Sequence, residues 1–374
     1  MSHLFFLSAI DFWGAGVLSL FSSLAIVQTR RLHLPKTSRG HAGLEVQSAH
    51  IAPTPRVGGI ALMLGLCFAT IHAPGEAGVC LTYLFLSCLP VFAAGLMEDL
   101  NIGASPRLRL GAAMLSGVLV IAMTGYRIPA VGVPGVDQLI AFWPVGVLFT
   151  VVATAGLSHA FNLVDGLNGL SMGIGIVAAV ALGVMAVGMG DTMTATIAAG
   201  VVFSVAGVLV VNYPFGRLFL GDGGAYTMGH LVGWLAVLLM ARNPGISAWA
   251  VLMTAFWPVM DTGAAVLRRR MKNMPASEPD RLHYHHVVMR IIMAAVLTEK
   301  RMIVANSMAT ACMVPLFATP AVLAVLTATN DALALAAFAL CVLLYLGTRI
   351  GLIRSFRAVK RRLVGVRRSL SALF

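Results

Sequence analysis

Long apolar runs, separated by short polar stretches, follow one another along almost the whole chain. A helix needs about 20 apolar residues to cross the roughly 30 Å hydrocarbon core of a bilayer, where every backbone polar group must be bonded internally. The sequence therefore predicts an all-α polytopic integral membrane protein with about eleven transmembrane helices. The predicted spans are 9–28, 57–73, 78–97, 108–125, 139–157, 170–189, 193–211, 224–241, 246–267, 303–327 and 331–350.

Composition supports a membrane protein. Hydrophobic residues make up 59% of the chain and charged residues only 11%, whereas a soluble domain carries about 25% charged residues. The first run lacks a cationic leader and contains Asp11, so we interpret it as a retained helix and not as a cleaved signal peptide. The five cysteines lie in or beside apolar runs without a CxxC pair, which is typical of small buried hydrophobes.

Basic residues are distributed very unevenly between alternate loops. Of the 26 lysines and arginines, all except Arg127 and Arg242 fall on one predicted side of the membrane. The positive-inside rule makes that side cytoplasmic, with the N-terminus outside and the C-terminus inside. The net charge of +12 therefore indicates membrane orientation and not nucleic-acid binding. We predict one transmembrane domain over 1–353 and a basic cytoplasmic tail over 354–374 that lies on anionic lipid.

The predicted cytoplasmic loops carry nearly all the unusual polar residues. The most distinctive stretch runs from His159 to Gly169, where Asn162, Asp165 and Asn168 are three residues apart and so share one helical face. Polar groups are costly inside a bilayer, so this stretch is interpreted as an interfacial, functional site.

Two further loops carry charge. Glu98 and Asp99 end the third predicted span; a solvated helix end is one interpretation, but negative charge at a helix C-terminus is unfavourable by about 0.3–1 kcal/mol. His50 and Arg56 flank two prolines in the first loop and are candidates for phosphate binding. The alternative for Arg56 is an interfacial side chain that extends toward water.

The remaining two loops add an aspartate and a histidine cluster. Asp222 lies between glycines shortly after Asn212 and Phe219, where it either caps a helix or binds Mg²⁺. His283, His285 and His286 lack the cysteines or HExxH spacing of a zinc site, and phosphate binding is favoured. Asp261 is a further candidate, or else a partner of Arg268 or Arg269. Acids, amides, imidazoles and arginines at one membrane face suit a reaction between an anionic soluble donor and an anionic lipid.

Together these motifs, in this order over roughly 50–290, resemble the polyprenyl-phosphate N-acetylhexosamine-1-phosphate transferases of glycosyltransferase family 4. The resemblance implies Mg²⁺-dependent (or Mn²⁺-dependent) transfer of a sugar 1-phosphate from a UDP-N-acetylhexosamine to polyprenyl phosphate, with release of UMP. It further implies a multi-pass protein of the bacterial inner membrane with a cytoplasmic active site, either monomeric or homodimeric.

The resemblance also assigns roles. Asp222 and Asn162 match the metal site, with Asp165 beside it, and Asn212 and Phe219 match the residues that hold the uridine. The histidine loop matches the element that faces the diphosphate, and Glu98 and Asp99 match a catalytic carboxylate pair. His50, Arg56 and Asn168 complete the expected substrate-binding set.

Four departures from the family pattern accompany the match. Glu98 replaces an aspartate, His159 an asparagine, and Gly224-Ala225 a Gly-Ser pair, while Asn168 stands where the peptidoglycan branch has aspartate. These favour the branch that initiates O-antigen, capsule or exopolysaccharide synthesis over a phospho-MurNAc-pentapeptide transferase. A transporter of an anionic solute and an inactive scaffold remain as alternatives from other functional classes.

Overall fold

A computed structural model describes residues 12–38, 53–273, 283–296 and 302–371. Within these ranges all regular secondary structure is helical, with short loops between the helices and no strand. The helices are α1 Trp13–Gln28, α2 Arg30–Thr37, α3 Gly58–His72, α4 Gly75–Asp99, α5 Pro106–Thr124, α6 Pro134–Ala141, α7 Trp143–Val164, α8 Leu170–Met189, α9 Thr192–Asn212, α10 Gly221–Arg242, α11 Ala248–Thr254, α12 Phe256–Met271, α13 Tyr284–Val296, α14 Met302–Leu326 and α15 Asp331–Ser371.

The prediction of a polytopic all-α membrane protein is confirmed. Within the described ranges, eight helices are long and apolar enough to cross a bilayer, and α11 with α12 forms a further, bent candidate. The apolar helices α1 and α3 are shorter than a typical span. Each of the eleven predicted segments overlaps one of these elements; the count of eleven spans and the orientation stay predictions.

The ninth predicted span, 246–267, is not one straight helix. Its two halves meet at Ala255 at an angle of 83°. Pro258 lies in the first turn of α12, and a proline can neither donate to the carbonyl of Thr254 nor fit against it. The bend therefore follows from a proline that the apolar pattern had concealed.

Three short helices, α2, α6 and α13, were not predicted because none is long enough to give a membrane-spanning signal. The predicted basic tail begins within the last helix, α15. α15 runs unbroken from Asp331 to Ser371, so the basic segment from 354 continues the last apolar helix. No proline interrupts that stretch, and proline is the residue that most strongly ends a helix.

α10 is the central helix. Every residue from Gly221 to Leu235 is buried, as expected for a helix that is enclosed on all sides. Glycines allow the neighbouring helices to approach its first turn: a β-carbon added at Gly59 of α3 would lie 2.5 Å from the Gly224 nitrogen. One added at Gly95 of α4 would lie 2.5 Å from Gly223 Cα. Backbone thus packs directly on backbone where α10 begins.

The loops predicted to lie outside meet at the far end of α10. Arg242 donates to Asp191 at 3.2 Å, to Glu76 at 3.0 Å and to the hydroxyl of Tyr126 at 3.1 Å. Four connections of the chain therefore converge at that end. The residues of the candidate site lie at the opposite end, so the structure separates the two sets of loops as the charge pattern predicts.

Candidate functional site

The site is built around the first turn of α10. Asp99, the last residue of α4, accepts hydrogen bonds from the backbone N–H groups of Asp222 at 2.8 Å and Gly223 at 2.9 Å. A carboxylate is stabilised there because a helix N-terminus presents unpaired N–H groups and a partial positive charge. Negative charge is unfavourable at the C-terminus of α4, but here the Asp99 carboxylate is stabilised by the N-terminus of α10.

Gly221 makes this approach possible. Its φ of +79° is a left-handed conformation that favours glycine. A β-carbon at this position would collide with the carbonyl oxygen of Arg56 and would lie 2.5 Å from Asp99 Oδ2. The glycine before Asp222 is therefore required by two separate contacts.

Asp222 itself is held by two arginines. Its Oδ1 accepts from Arg56 Nη2 at 3.2 Å, and its Oδ2 accepts from Arg109 Nη1 at 3.1 Å. Arg56 Nε also lies 3.9 Å from Asp99 Oδ1. Since only 11% of the Asp222 side chain is exposed, these charges lie in a partly desolvated environment where they interact more strongly than in water.

The backbone around Arg56 fixes the position of this arginine. The N–H of Phe219 donates to the carbonyl of Pro55 at 2.9 Å, and the N–H of Gly58 returns a bond of 2.9 Å to the Phe219 carbonyl. The N–H of Arg56 donates to Thr37 of α2 at 2.8 Å. The chain segments before α3 and before α10 are therefore paired, and Arg56 lies beside Asp222 as a consequence.

Glu98 does not share the environment of its neighbour. Its Oε2 accepts the N–H of Ala104 at 3.0 Å, in the loop between α4 and α5. Asp99 is buried whereas Glu98 is half-buried. The two adjacent carboxylates therefore face different partners, and their predicted catalytic roles need not be equivalent.

Asp165 lies in the loop between α7 and α8, where the Ser171 hydroxyl donates to its Oδ1. Burial raises the pKa of this carboxyl to about 6, and the nearby Asp222 acts in the same direction, while the bond from Ser171 and the charge of Arg56 lower it. Asp165 therefore lies close enough to Asp222 and Arg56 for their charges to act on its carboxyl group. Asn162, half-buried in the last turn of α7, accepts the Asp165 N–H at its carbonyl.

The predicted amide ligands are buried and bind neighbouring loops. Asn212 accepts from the N–H of Gly169 at 2.6 Å and donates to the carbonyl of Leu218 at 2.7 Å. Asn168 donates to the carbonyl of Pro214 at 3.0 Å. These side chains join the loop before α8 to the loop after α9, and their predicted contacts with substrate stay predictions.

The histidine loop meets the loop of Asp165. A β-carbon added at Gly166 would lie 2.6 Å from His285 Nε2 and 3.3 Å from His286 Cε1. The rings of His285 and His286 are 4.2 Å apart. Burial lowers the pKa of His285 well below its usual range, which favours the uncharged form of the ring.

His283 is buried and paired with Asp261. Its Nδ1 lies 2.8 Å from Asp261 Oδ2, and the N–H of Tyr284 donates to Asp261 Oδ1 at 3.1 Å. Among the described residues, Asp261 has hydrogen bonds to His283, Tyr284 and Tyr345. These differ from the alternative partners, Arg268 and Arg269. His50, the remaining predicted residue, lies outside the described residues.

A divalent cation would find hard oxygen donors here. Within the described part of the chain, no three acidic, histidine or cysteine side chains are grouped closely enough to form a complete metal site. Mg²⁺ does not require one, because it binds one or two carboxylates together with phosphate oxygens and water. Asp222, with Asp165 electrostatically coupled to it, fits that donor set.

Arg109 is a residue of the candidate site that sequence reasoning missed. It was counted only as one positive charge of a cytoplasmic loop, yet it forms one of the two ion pairs to Asp222. Its position four residues after Ser105, which caps α5 by accepting the Leu108 N–H, was the available signal. That cap places the first turn of α5, and with it Arg109, next to the site.

Residues 81–240, from α4 to α10, match the model of glycosyl transferase family 4. Curated proteins agree with this match. A probable undecaprenyl-phosphate N-acetylglucosaminyl 1-phosphate transferase of Bacillus subtilis is 25% identical over 247 residues, covering 65% of this chain and 68% of that protein. Residues 81–240 of this chain, less than half of its 374 residues, are therefore similar to glycosyl transferase family 4.

Other relatives carry similar names. The undecaprenyl-phosphate alpha-N-acetylglucosaminyl 1-phosphate transferase of Yersinia pestis is 29% identical over 252 residues, covering 64% of this chain and 67% of that protein. The decaprenyl-phosphate N-acetylglucosaminephosphotransferase of Mycolicibacterium smegmatis is 25% identical over 277 residues, covering 66% of this chain and 67% of that protein. The predicted resemblance to this family is therefore confirmed, and the relatives' names agree with the prediction of a transferase enzyme.

The family 4 match covers only part of the site. It includes Asp99, Arg109, Asp165 and Asp222, but ends before the histidine loop and begins after Arg56. The structure brings both of these outlying elements to the matched residues. The candidate site therefore combines residues from the segment before α3 through to the start of α13.

Proposed function

We propose that this protein is an enzyme that transfers a sugar 1-phosphate from a UDP-sugar to polyprenyl phosphate. The sugar is N-acetylglucosamine or a related N-acetylhexosamine. The relatives' names support the acceptor and the transferred group. The observation that carries the proposal is Asp222 between Arg56 and Arg109 at the start of α10. Two guanidinium groups side by side form a strong attraction for phosphate oxygens.

The reaction is a phosphoryl substitution. An oxygen of the lipid phosphate attacks the phosphorus that bears the sugar, a new P–O bond forms, and the bond to the bridging oxygen breaks so that UMP leaves. In such transfers the protein mainly positions the reactants and stabilises charge. Arg56 and Arg109 stabilise the phosphate charge, and Glu98 or Asp165 positions the lipid phosphate or accepts its proton.

The position of Asp99 limits its part in this chemistry. Both of its oxygens already bind backbone N–H groups of α10, which makes it a support for Asp222. Of the predicted carboxylate pair, Glu98 is therefore the better candidate for contact with the acceptor. Its extra methylene, relative to the aspartate of the family, extends its reach toward a lipid phosphate.

Mg²⁺, with Mn²⁺ as an alternative, would be held by Asp222 and the amide oxygen of Asn162, and it would offset the charge of the donor's diphosphate. The arginines that neutralise Asp222 would then be available for phosphate oxygens. The active site would face the cytoplasm of a bacterial inner membrane. Its product would be the first lipid-linked intermediate of an O-antigen, capsule or exopolysaccharide.

A donor screen tests this function. Purified protein with undecaprenyl phosphate and Mg²⁺ is given a panel of UDP-N-acetylhexosamines and UDP-MurNAc-pentapeptide, and UMP release is measured. We expect release with an N-acetylhexosamine donor and none without the lipid. Release with the pentapeptide donor alone would place the chain in the peptidoglycan branch. No release with any donor would contradict the proposal and favour a scaffold.

A further inference from the structure

A buried network connects the C-terminal helix to the histidine loop, and its residues lie outside the part of the sequence that the family model matches. Asp261 of α12 is fully buried. It is bonded to His283 of the histidine loop at 2.8 Å and receives a bond from the Tyr345 hydroxyl of α15 at 3.3 Å. Arg349, one turn further along α15, donates to that hydroxyl at 2.5 Å and lies 3.6 Å from Asp261 Oδ1.

A buried carboxylate is costly unless it is paired and hydrogen-bonded. Among the described residues, Asp261 meets this condition through groups from two other parts of the chain: the start of α13 and the helix α15. Its position is therefore determined by both. An imidazole that is bonded through Nδ1 to a carboxylate is fixed in its tautomer and its ring orientation.

The network continues toward the reacting groups. The His283 ring lies 5.7 Å from that of His285, nearly parallel at 24°, and 6.2 Å from that of His286. His285 and His286 in turn contact the backbone at Gly166, next to Asp165. A continuous series of contacts therefore joins α15, Asp261, the three histidines and the Asp165 loop.

We propose that Asp261 is the positioning residue of the histidine loop, and that Tyr345 and Arg349 make α15 part of the catalytic structure by holding Asp261 in place. This inference rests on the proposed function, in which the histidines act on the donor's diphosphate. α15, which the sequence indicated to be a membrane span with a basic tail, thereby has a second role inside the protein.

Kinetics of Asp261→Asn test the inference. The substitution keeps the size of the side chain but removes the charge that orients His283. We expect kcat to fall about 10- to 100-fold, the range found when an orienting partner is removed from a ligating histidine. The donor KM should change less than about threefold, because the lost orientation acts on the transition state. A general loss of folded protein would also expose His230, which is fully buried in α10, whereas the inference predicts increased exposure only in the histidine loop.

A second readout is independent of turnover. Diethylpyrocarbonate modifies accessible neutral imidazoles, and mass spectrometry resolves the modified positions. In the wild type His283 and His285 should react slowly, because 2% and 0% of their side chains are exposed. Asp261→Asn should increase their modification at least about threefold, while His72 at the opposite end of α3, exposed in the structure, reacts equally in both proteins.

Two further variants complete the design. Tyr345→Phe removes one hydrogen bond to Asp261 and should lower kcat about three- to fivefold, which tests the inference even if Asp261→Asn fails to fold. Asp331→Asn, the same change at an exposed acid at the start of α15, should match the wild type. Wild-type kcat and wild-type labelling in both Asp261→Asn and Tyr345→Phe would overturn the inference. An inactive wild type would instead contradict the proposed function, and the labelling would still decide the role of Asp261.

Discussion

At the residue scale, three carboxylates near the start of α10 are held in three different ways. Asp99 binds backbone N–H groups, Asp165 binds a hydroxyl and Asp222 binds two arginines. Only in the third arrangement can the partners release the carboxylate and bind a substrate phosphate instead, because the guanidinium groups are carried on long, flexible side chains. This difference makes Asp222 the centre of the proposed chemistry and Asp99 its support.

Arg109 gives the first prediction. Arg109→Ala should lower kcat/KM for UMP release about 10²- to 10³-fold, the usual effect of removing one group that stabilises transition-state charge. Arg107→Ala is the matched control, since Arg107 is exposed two positions earlier on the same helix, and it should stay within about twofold of the wild type. Equal effects of the two substitutions would show that only the total loop charge matters.

Asp165 gives a prediction about pH. Burial raises the pKa of this carboxyl to about 6 in the folded protein, above its value of about 3.9 in an unfolded chain. The folded state therefore binds the proton more tightly, and the stability that results is present below about pH 4 and is lost as the pH rises through 6.

Thermal melting in detergent with a metal chelator measures this effect. Asn at position 165 carries no charge at any pH, so the melting temperature of the wild type should fall relative to Asp165→Asn between pH 5 and pH 7.5. If the difference in melting temperature between the wild type and Asp165→Asn were the same at pH 5 and pH 7.5, the account would be contradicted.

At the element scale, glycines bring α3 and α4 into backbone contact with α10. Gly95→Ala would place a β-carbon 2.5 Å from Gly223 Cα, and backbone atoms cannot move aside as a flexible side chain can. The helices should separate at a cost of about 1–3 kcal/mol, and Asp99 should lose its bonds to α10. We expect a lower melting temperature and a strong loss of UMP release.

Gly156→Ala is the control for that substitution. Gly156 lies inside α7 with nothing within 4 Å of a β-carbon, so alanine there should stabilise the helix by up to about 1 kcal/mol. The two glycine-to-alanine changes are therefore expected to act in opposite directions. A melting temperature for Gly95→Ala at or above that of the wild type would show that the contact between α4 and α10 is not tight.

The apolar helices were predictable from sequence because a membrane span needs a long continuous run, and such runs are visible without any partner. The bend at Ala255 and the helices α2, α6 and α13 were not, because short elements depend on local breakers and packing. Asp222, Asp165 and the histidines were found because polar residues are rare in this chain. Arg109 was overlooked because an arginine after a span is also expected from topology alone.

The binding partners within the site depended on tertiary structure. Nothing in the order of residues indicates that Asp99 caps α10, 123 positions away. The same holds for Asp261 and Tyr345, which lie 84 positions apart. Sequence therefore predicted which side chains are unusual, and the structure shows what they contact.

At the scale of the whole molecule, the two ends of the helical bundle carry distinct sets of loops, and the charge pattern predicts which end faces the cytoplasm. An epitope tag after Phe374 should be protected from protease in spheroplasts and cleaved in inverted vesicles. A tag in the loop before Asp137 should show the reverse. If both tags were cleaved from the same side, the predicted orientation would be wrong.

Transfer of labelled phosphate tests the central claim most directly. Purified protein receives undecaprenyl phosphate and UDP-N-acetylglucosamine labelled in the phosphate next to the sugar. Label should move into the organic-soluble lipid with an equal amount of UMP, both for the wild type and for Asp331→Asn, while Asp222→Asn should transfer none. Transfer by Asp222→Asn at the wild-type rate, or label that stays in the aqueous phase with the wild type, would contradict the account.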